Sequence, residues 1–79
     1  MIFLIEYDRR KRRTLLFKTF ADDQRHAAQD ERLTLELQLN QRGLLLDHEV
    51  VLLEARNTQQ LRRTHDRYFE HPPESVSQH

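Results

Sequence analysis

Two short stretches near the start of the chain have the pattern of β-strands. Residues 2–7 and 14–20 are rich in β-branched and aromatic side chains, which are enriched in strands. The connection between them, residues 8–13, contains no Gly, Asn or Pro, so a tight two-residue turn is not indicated. The pattern therefore predicts a hairpin with a looser loop of several residues.

A third strand is predicted over residues 49–55. Its centre, residues 50–53, is a continuous apolar run with no alternating polar positions. Such a run is typical of a strand that is buried on much of both faces, rather than of an exposed edge strand.

The segment between the second and third strands has the composition of a helix. Residues 24–42 are dominated by Ala, Gln, Glu, Arg and Leu, and the aspartates at residues 22–23 offer an N-cap and favourable negative charge. Gly43 supplies the end of the helix. If Gly43 is the left-handed residue just past the helix, Leu39 and Leu44 occupy the two positions that touch in a Schellman cap.

Four leucines in this helix alternate with polar residues. At 3.6 residues per turn, Leu35 and Leu39 share one side with Ala28, while Leu33 and Leu37 lie on the other side. Strict alternation also suggests a strand, but Leu, Glu and Gln are weak strand formers and caps at both ends favour a helix. One apolar side can rest on the sheet. The other can contact the second helix of the same chain, or a second copy, and we favour self-association through Leu33 and Leu37 because small domains gain most from added burial.

A second helix is predicted to begin after Asn57 or Thr58, with Gln60 at the capping-box position relative to Asn57. It should end near Glu70, because the two prolines that follow cannot continue it. Residues 71–79 are expected to form a disordered C-terminal tail.

The element order predicts an α+β fold of the type ββαβα. We expect a two-layer sandwich made of a three-stranded sheet in the order 2-1-3, with two helices on one face. The first strand is apolar enough for the central position. Residues 1–70 are expected to form a single domain.

Composition limits the classes of function. A domain of 79 residues is expected to be marginally stable, which dimerisation would offset. The absence of cysteine excludes a disulfide scaffold, a thiolate nucleophile and sulfur-ligated zinc. The apolar run at residues 2–5 is too short for a signal segment or a membrane span, so we expect a cytoplasmic protein without a membrane partner.

The charge is balanced overall, but one basic run stands out. The formal net charge is zero. The run comprises Arg9, Arg10, Lys11, Arg12 and Arg13. No comparable acidic block balances this run. On a hairpin loop the run could contact the phosphates of a nucleic acid, but the domain lacks overall basicity. Tyr7 and Phe17 could stack on bases from an open sheet face, yet the glycine-containing motif of sheet-based RNA binders is missing.

The remaining chemistry is sparse. The five histidines lie in separate elements, and Asp47, His48 and Glu49 are better explained as turn residues than as metal ligands, since neighbouring strand residues point to opposite faces. The only serines, at residues 75 and 77, lie in the expected tail, and a single glycine cannot build a phosphate-cradling loop. We therefore predict no catalytic residue, metal site or cofactor. The function favoured is a small, non-enzymatic, homodimeric protein-interaction module that also binds another protein. The alternative is nucleic-acid binding by loop 9–13.

Overall fold

The computed structural model describes residues 1–69 and confirms the α+β class. The secondary-structure elements are β1 (Ile2–Asp8), β2 (Arg13–Phe20), a 3₁₀ turn (Asp22–Gln24), α1 (Arg25–Gln41), β3 (His48–Glu54), α2 (Thr58–Thr64) and a second 3₁₀ turn (Asp66–Phe69). The disordered tail predicted for residues 71–79 lies outside the described residues.

The three strands form one antiparallel sheet in the order β2-β1-β3, as predicted. β1 takes the centre because its residues Ile2, Phe3, Leu4 and Ile5 are apolar on both faces, and all four are buried. β3 lies at an edge of the sheet, so the expectation that it is not an edge strand was wrong for the single chain. Its central side chains are half-buried, and they pack against apolar clusters on both faces.

Two apolar clusters lie on opposite faces of the sheet. One cluster comprises Ile2, Leu4, Phe20 and Ala28. The other comprises Phe3, Ile5, Tyr7, Leu61 and Tyr68. Because α1 contributes Ala28 to the first cluster, while α2 contributes Leu61 to the second, the two helices cover opposite faces. The prediction of both helices on one face was therefore wrong. β1 directs apolar side chains to both faces of the sheet, so each face needs a helix to cover it. The fold therefore has three layers, with the sheet between the two helices.

The helix of residues 25–41 ends as its sequence indicates. Gly43 has φ +71°, and its N–H donates to the carbonyl oxygen of Asn40 at 3.1 Å. The N–H of Leu44 donates to the carbonyl oxygen of Leu39 at 2.8 Å. These two bonds form a Schellman motif. At the other end the predicted aspartate cap is absent, because the aspartates lie within the 3₁₀ turn and Gln24 accepts the N–H of Ala21 instead.

The second helix begins as predicted but is shorter. The side chain of Asn57 accepts the N–H of Gln60 at 2.8 Å, and the side chain of Gln60 accepts the N–H of Arg56 at 2.7 Å. α2 ends at Thr64 rather than near residue 70, because His65 leaves the helical region with φ −137° and ψ 53°. The turn Asp66–Phe69 then folds back over the sheet.

Candidate interaction surfaces

The outer leucine face of α1, defined as Leu33 and Leu37, lies on the side of the helix opposite the sheet. Ala28 and Leu39 are buried beneath the helix and Leu35 is half-buried. Leu33 and Leu37 are 51% and 62% exposed, and residues four apart on a helix are neighbours, so they form one apolar patch. Because α2 covers the other face of the sheet, it cannot cover this patch. The structure thus leaves the predicted interface residues outside the core of residues 1–69.

Further apolar surface follows in the loop between α1 and β3. Leu46 is 85% exposed and Leu45 is also exposed. The carbonyl oxygen of Leu46 accepts a hydrogen bond from Nη1 of Arg9 at 3.2 Å. This loop therefore packs beside the β1–β2 loop at the same end of the sheet.

The basic loop, residues 9–13, is exposed and held in shape by one carboxylate. Oδ1 of Asp8 accepts the N–H groups of Arg10 at 3.0 Å and Lys11 at 3.1 Å, and Arg12 has the left-handed φ of 54°. Burial raises the pKa of Asp8, but the bonds from Lys11 and Arg10 and the nearby charges of His48 and Lys11 outweigh it. The net result is a pKa below the ordinary value.

Two acidic residues that are distant in sequence pair with part of the basic run. Nε of Arg9 lies 3.8 Å from Oε1 of Glu49, and Nη1 of Arg10 lies 3.8 Å from Oδ2 of Asp47. The sequence nevertheless contains no acidic block comparable to the basic run, as predicted. The pairing of β1 with β3 brings these acids to the loop, and a one-dimensional scan for charge blocks does not reveal it.

A basic groove lies beside the loop. It has a volume of about 290 Å³ and is lined by Tyr7, Arg9, Arg12 and Arg67. The guanidinium of Arg67 stacks on the rings of Tyr7 and Tyr68, with its Cζ atom 5.3 and 4.9 Å from their centres, and it pairs with Glu49. Sequence reasoning missed Arg67, because only the fold-back of the turn Asp66–Phe69 brings it to the loop.

The aromatic residues considered for base stacking belong to the core. Tyr7 is buried, and its ring meets that of Tyr68 edge-on at 5.3 Å. Phe17 packs against Phe69 at 5.5 Å. The face that carries both residues is closed by α2 and the turn after it, so stacking of bases on an open sheet face is excluded.

His48 lies between two carboxylates of the neighbouring strand. Its Nδ1 is 2.7 Å from Oε2 of Glu6, and its Nε2 is 3.8 Å from Oδ2 of Asp8. Glu49 points to the other face, as the alternation of strand side chains requires, and accepts the hydroxyl of Tyr68 at 2.9 Å. These contacts tie β3 to its neighbours. Among residues 1–69, no three His, Asp or Glu side chains are placed to hold a metal ion.

None of the helices within residues 1–69 combines the length and apolar composition needed to span a bilayer. Comparison of the chain with models of known protein families, with curated proteins and with solved structures finds no match.

Proposed function

We propose that this chain is a cytoplasmic, non-enzymatic protein-interaction module that works as a homodimer through Leu33 and Leu37. The observation that carries the proposal is the outer leucine face. A helix that covers a sheet normally turns polar residues to solvent, whereas α1 exposes two leucines on successive turns. An apolar patch on a small domain marks a surface for association.

A second copy is the occupant that the position of the patch favours. Leu33 is the midpoint of α1, which spans Arg25–Gln41. In an antiparallel pair of α1 helices whose two-fold axis passes midway between the two leucines, close to this midpoint, Leu33 of one copy faces Leu37 of the other, and the same patch serves both copies.

The dimer should be weak enough to dissociate on dilution. Full burial of an exposed leucine contributes about 2 kcal/mol, so four half-exposed leucines contribute about 4 kcal/mol. Association itself costs at least about 4 kcal/mol of rigid-body freedom, so the residues that flank the leucines must add to the interface. A dissociation constant in the millimolar to micromolar range requires these flanking residues to contribute about 4–8 kcal/mol.

The test compares Leu33→Glu and Leu37→Glu with Gln38→Glu, which places the same charge on an exposed position outside the patch. Size-exclusion chromatography with light scattering should show that only the two leucine variants have a lower mass than the wild type. Circular dichroism should show the native helix content in all three, because neither leucine belongs to the core. A mass equal to that of the wild type in both leucine variants would overturn the proposal.

A second function, nucleic-acid binding, is favoured by one observation. Arg9, Arg12 and Arg67 surround the same groove and present three guanidinium groups at one end of the sheet. Fluorescence anisotropy with a labelled single-stranded oligonucleotide would test this function. Binding should weaken steeply between about 50 and 200 mM salt, and also in Arg12→Gln, but not in Arg63→Gln on the exposed surface of α2. Absence of binding at the lower salt concentration would exclude it.

A further inference from the structure

β3 has the sequence of an interior strand but the position of an edge strand. Its central residues, Val50, Val51, Leu52 and Leu53, are all apolar and all half-buried. On one side β3 pairs with β1, and on the other side no strand within residues 1–69 pairs with it. A natural edge strand is normally short, charged, bulged or covered, so this edge needs an explanation.

The backbone groups that point away from β1 can be assigned from the hydrogen-bond register. Met1 and Ala55 exchange both backbone bonds, at 2.9 and 3.1 Å, and the N–H of Arg9 donates to the carbonyl oxygen of Asp47 at 2.9 Å. In an antiparallel ladder, hydrogen-bonded pairs alternate with non-bonded pairs, so the odd-numbered residues of β3 bond to β1. The even-numbered residues therefore direct their N–H and C=O groups outward.

These outward groups are unpaired over most of the edge. Within residues 1–69, no hydrogen bond reaches the backbone of Val50, Leu52 or Glu54 from the outer side. At the start of the strand, the N–H of His48 donates to the carbonyl oxygen of Leu44 at 3.0 Å, so the loop covers only that end. The edge offers a row of donors and acceptors to another strand.

The two edges of the sheet differ in the devices that block pairing. β2 carries Arg13 and Lys18, and its pairing with β1 contains an irregularity between Glu6 and Tyr7. β3 contains no Pro, Lys or Arg, and its register with β1 is unbroken from end to end. The edge of β3 thus has a regular register, an apolar centre and none of the features that block pairing at β2.

We propose that β3 pairs with β3 of a second copy, antiparallel about a two-fold axis at Val51, to form a continuous six-stranded sheet. This register brings outward-pointing residues together, because Val50 lies opposite Leu52 of the second copy. It also places Glu54 opposite His48 of the second copy at each end of the pairing. An acid opposite a histidine is a complementary cross-strand pair, and apolar residues meet in the middle.

The same axis brings the two α1 helices side by side. Arg25 pairs with Glu54, so the helix stripe that continues through Gln29, Arg32 and Glu36 follows the β3 side. α1 contacts β1 as well as β3. Because strands are spaced about 4.8 Å apart, a helix axis midway between these two strands lies about 5 Å from the two-fold axis, and the two α1 helices then come within about 10 Å, a normal packing distance.

The edge pairing and the outer leucine face are separate surfaces. The leucines point away from the sheet, so they stay exposed when two β3 edges pair. The edge inference does not depend on the proposed function. Where both surfaces associate, the chain assembles beyond a dimer.

A disulfide test reads the register directly, because the chain contains no cysteine. Val51 would form a non-bonded pair with its own counterpart, with Cα atoms about 4.5 Å apart, which is within the range for a disulfide. Leu53 is on the same face and is equally half-buried, but it would lie about 13 Å from its counterpart. Mild oxidation of dilute protein should cross-link Val51→Cys and not Leu53→Cys. Failure of Val51→Cys to cross-link, or equal cross-linking of both variants, would overturn the inference.

A second pair of variants tests the pairing of the β3 edges without introducing a cysteine. Glu54→Pro removes an outward N–H and leaves the bonds to β1 intact, whereas Glu54→Ala removes the same carboxylate and keeps the N–H. In a Leu37→Glu background, which removes the leucine contact, sedimentation should show dimers that Glu54→Pro weakens about tenfold relative to Glu54→Ala. Equal affinity of the two variants, or no Val51→Cys cross-link in the Leu37→Glu background, would contradict edge pairing. Loss of association through Leu33 and Leu37 alone would not contradict edge pairing.

Discussion

Asp8 links the shape of the basic loop to the stability of the sheet, and substitutions of this residue test that link. It is only 7% exposed and lies at the end of β1. Its carboxylate accepts the N–H groups of Arg10 and Lys11, and it lies 3.8 Å from the ring of His48. Asp8→Ala removes all of these contacts, whereas Asp8→Asn keeps an oxygen that can accept both N–H bonds and removes only the charge.

The structure sets the size of each effect. A hydrogen bond to a charged group contributes about 1.5–3 kcal/mol, and the lower figure applies because the two N–H groups lie in an exposed loop that water reaches. Asp8→Ala should therefore lower the free energy of unfolding by about 3 kcal/mol. Asp8→Asn should lower it by about 1 kcal/mol. For a domain of this size, each kcal/mol corresponds to a fall of about 4–8 °C in Tm.

The same contacts give the effect a pH dependence. The folded-state pKa of Asp8 lies below the ordinary value of 3.8, so its contribution to stability is present above pH 3.8 and is lost as the pH falls through the folded-state pKa. Urea unfolding followed by circular dichroism at pH 7, and again below pH 3.8, measures the free energy of unfolding of the wild type and of Asp8→Ala at each pH. The gap between wild type and Asp8→Ala should narrow in acid. A gap that is below about 1 kcal/mol at pH 7, or that widens in acid, would refute the reasoning.

Three further predictions concern the cap, the core and the buried hydroxyl. Gly43→Ala should cost about 1–2 kcal/mol in thermal unfolding, because its φ is +71° and a Cβ would meet no atom within 4 Å, so only backbone strain is added; a cost above about 4 kcal/mol would contradict this. Leu61→Ala should cost about 2–4 kcal/mol in urea unfolding, since Leu61 is fully buried and anchors α2; a cost below about 1 kcal/mol would show that α2 is not packed there. Burial raises the pKa of Tyr68, and the bond to Glu49 raises it further against the effect of Arg67, so absorbance titration of Tyr7→Phe should give a midpoint above 10.0. The stability that this shift represents is present below pH 10.0 and is lost as the pH rises through the folded-state pKa, and a midpoint at or below 10.0 would contradict the assignment.

The sequence predicts the elements well where local chemistry determines them. The Schellman cap depends only on Gly43 and its neighbours, and the start of α2 depends on Asn57 and Gln60. Strand order follows from the composition of β1, which needs cover on both sides. By contrast, the layer that each helix joins depends on which face of the sheet lacks cover. That is a property of the assembled sheet, and no local pattern records it.

The candidate surfaces, like the elements of the fold, are predictable from the sequence only where local periodicity determines them. The separation of Leu33 and Leu37 from the sheet-facing residues follows from helical periodicity, so the sequence identifies the two groups. Which group faces the sheet is decided by packing, and the buried position of Leu39 answers that question. Arg67 and Glu49 join the basic loop only through strand pairing and chain reversal, so residues remote in sequence could not be assigned to it.

The central claim is that the chain associates through exposed apolar surface. Analytical ultracentrifugation of the wild-type protein, over a wide range of concentrations and at low and high salt, tests this claim most directly. The account predicts a mass that rises above the 9.7 kDa of one chain as concentration increases, with no weakening by salt, since apolar burial is not screened. A mass of 9.7 kDa at every concentration and both salt levels would contradict it.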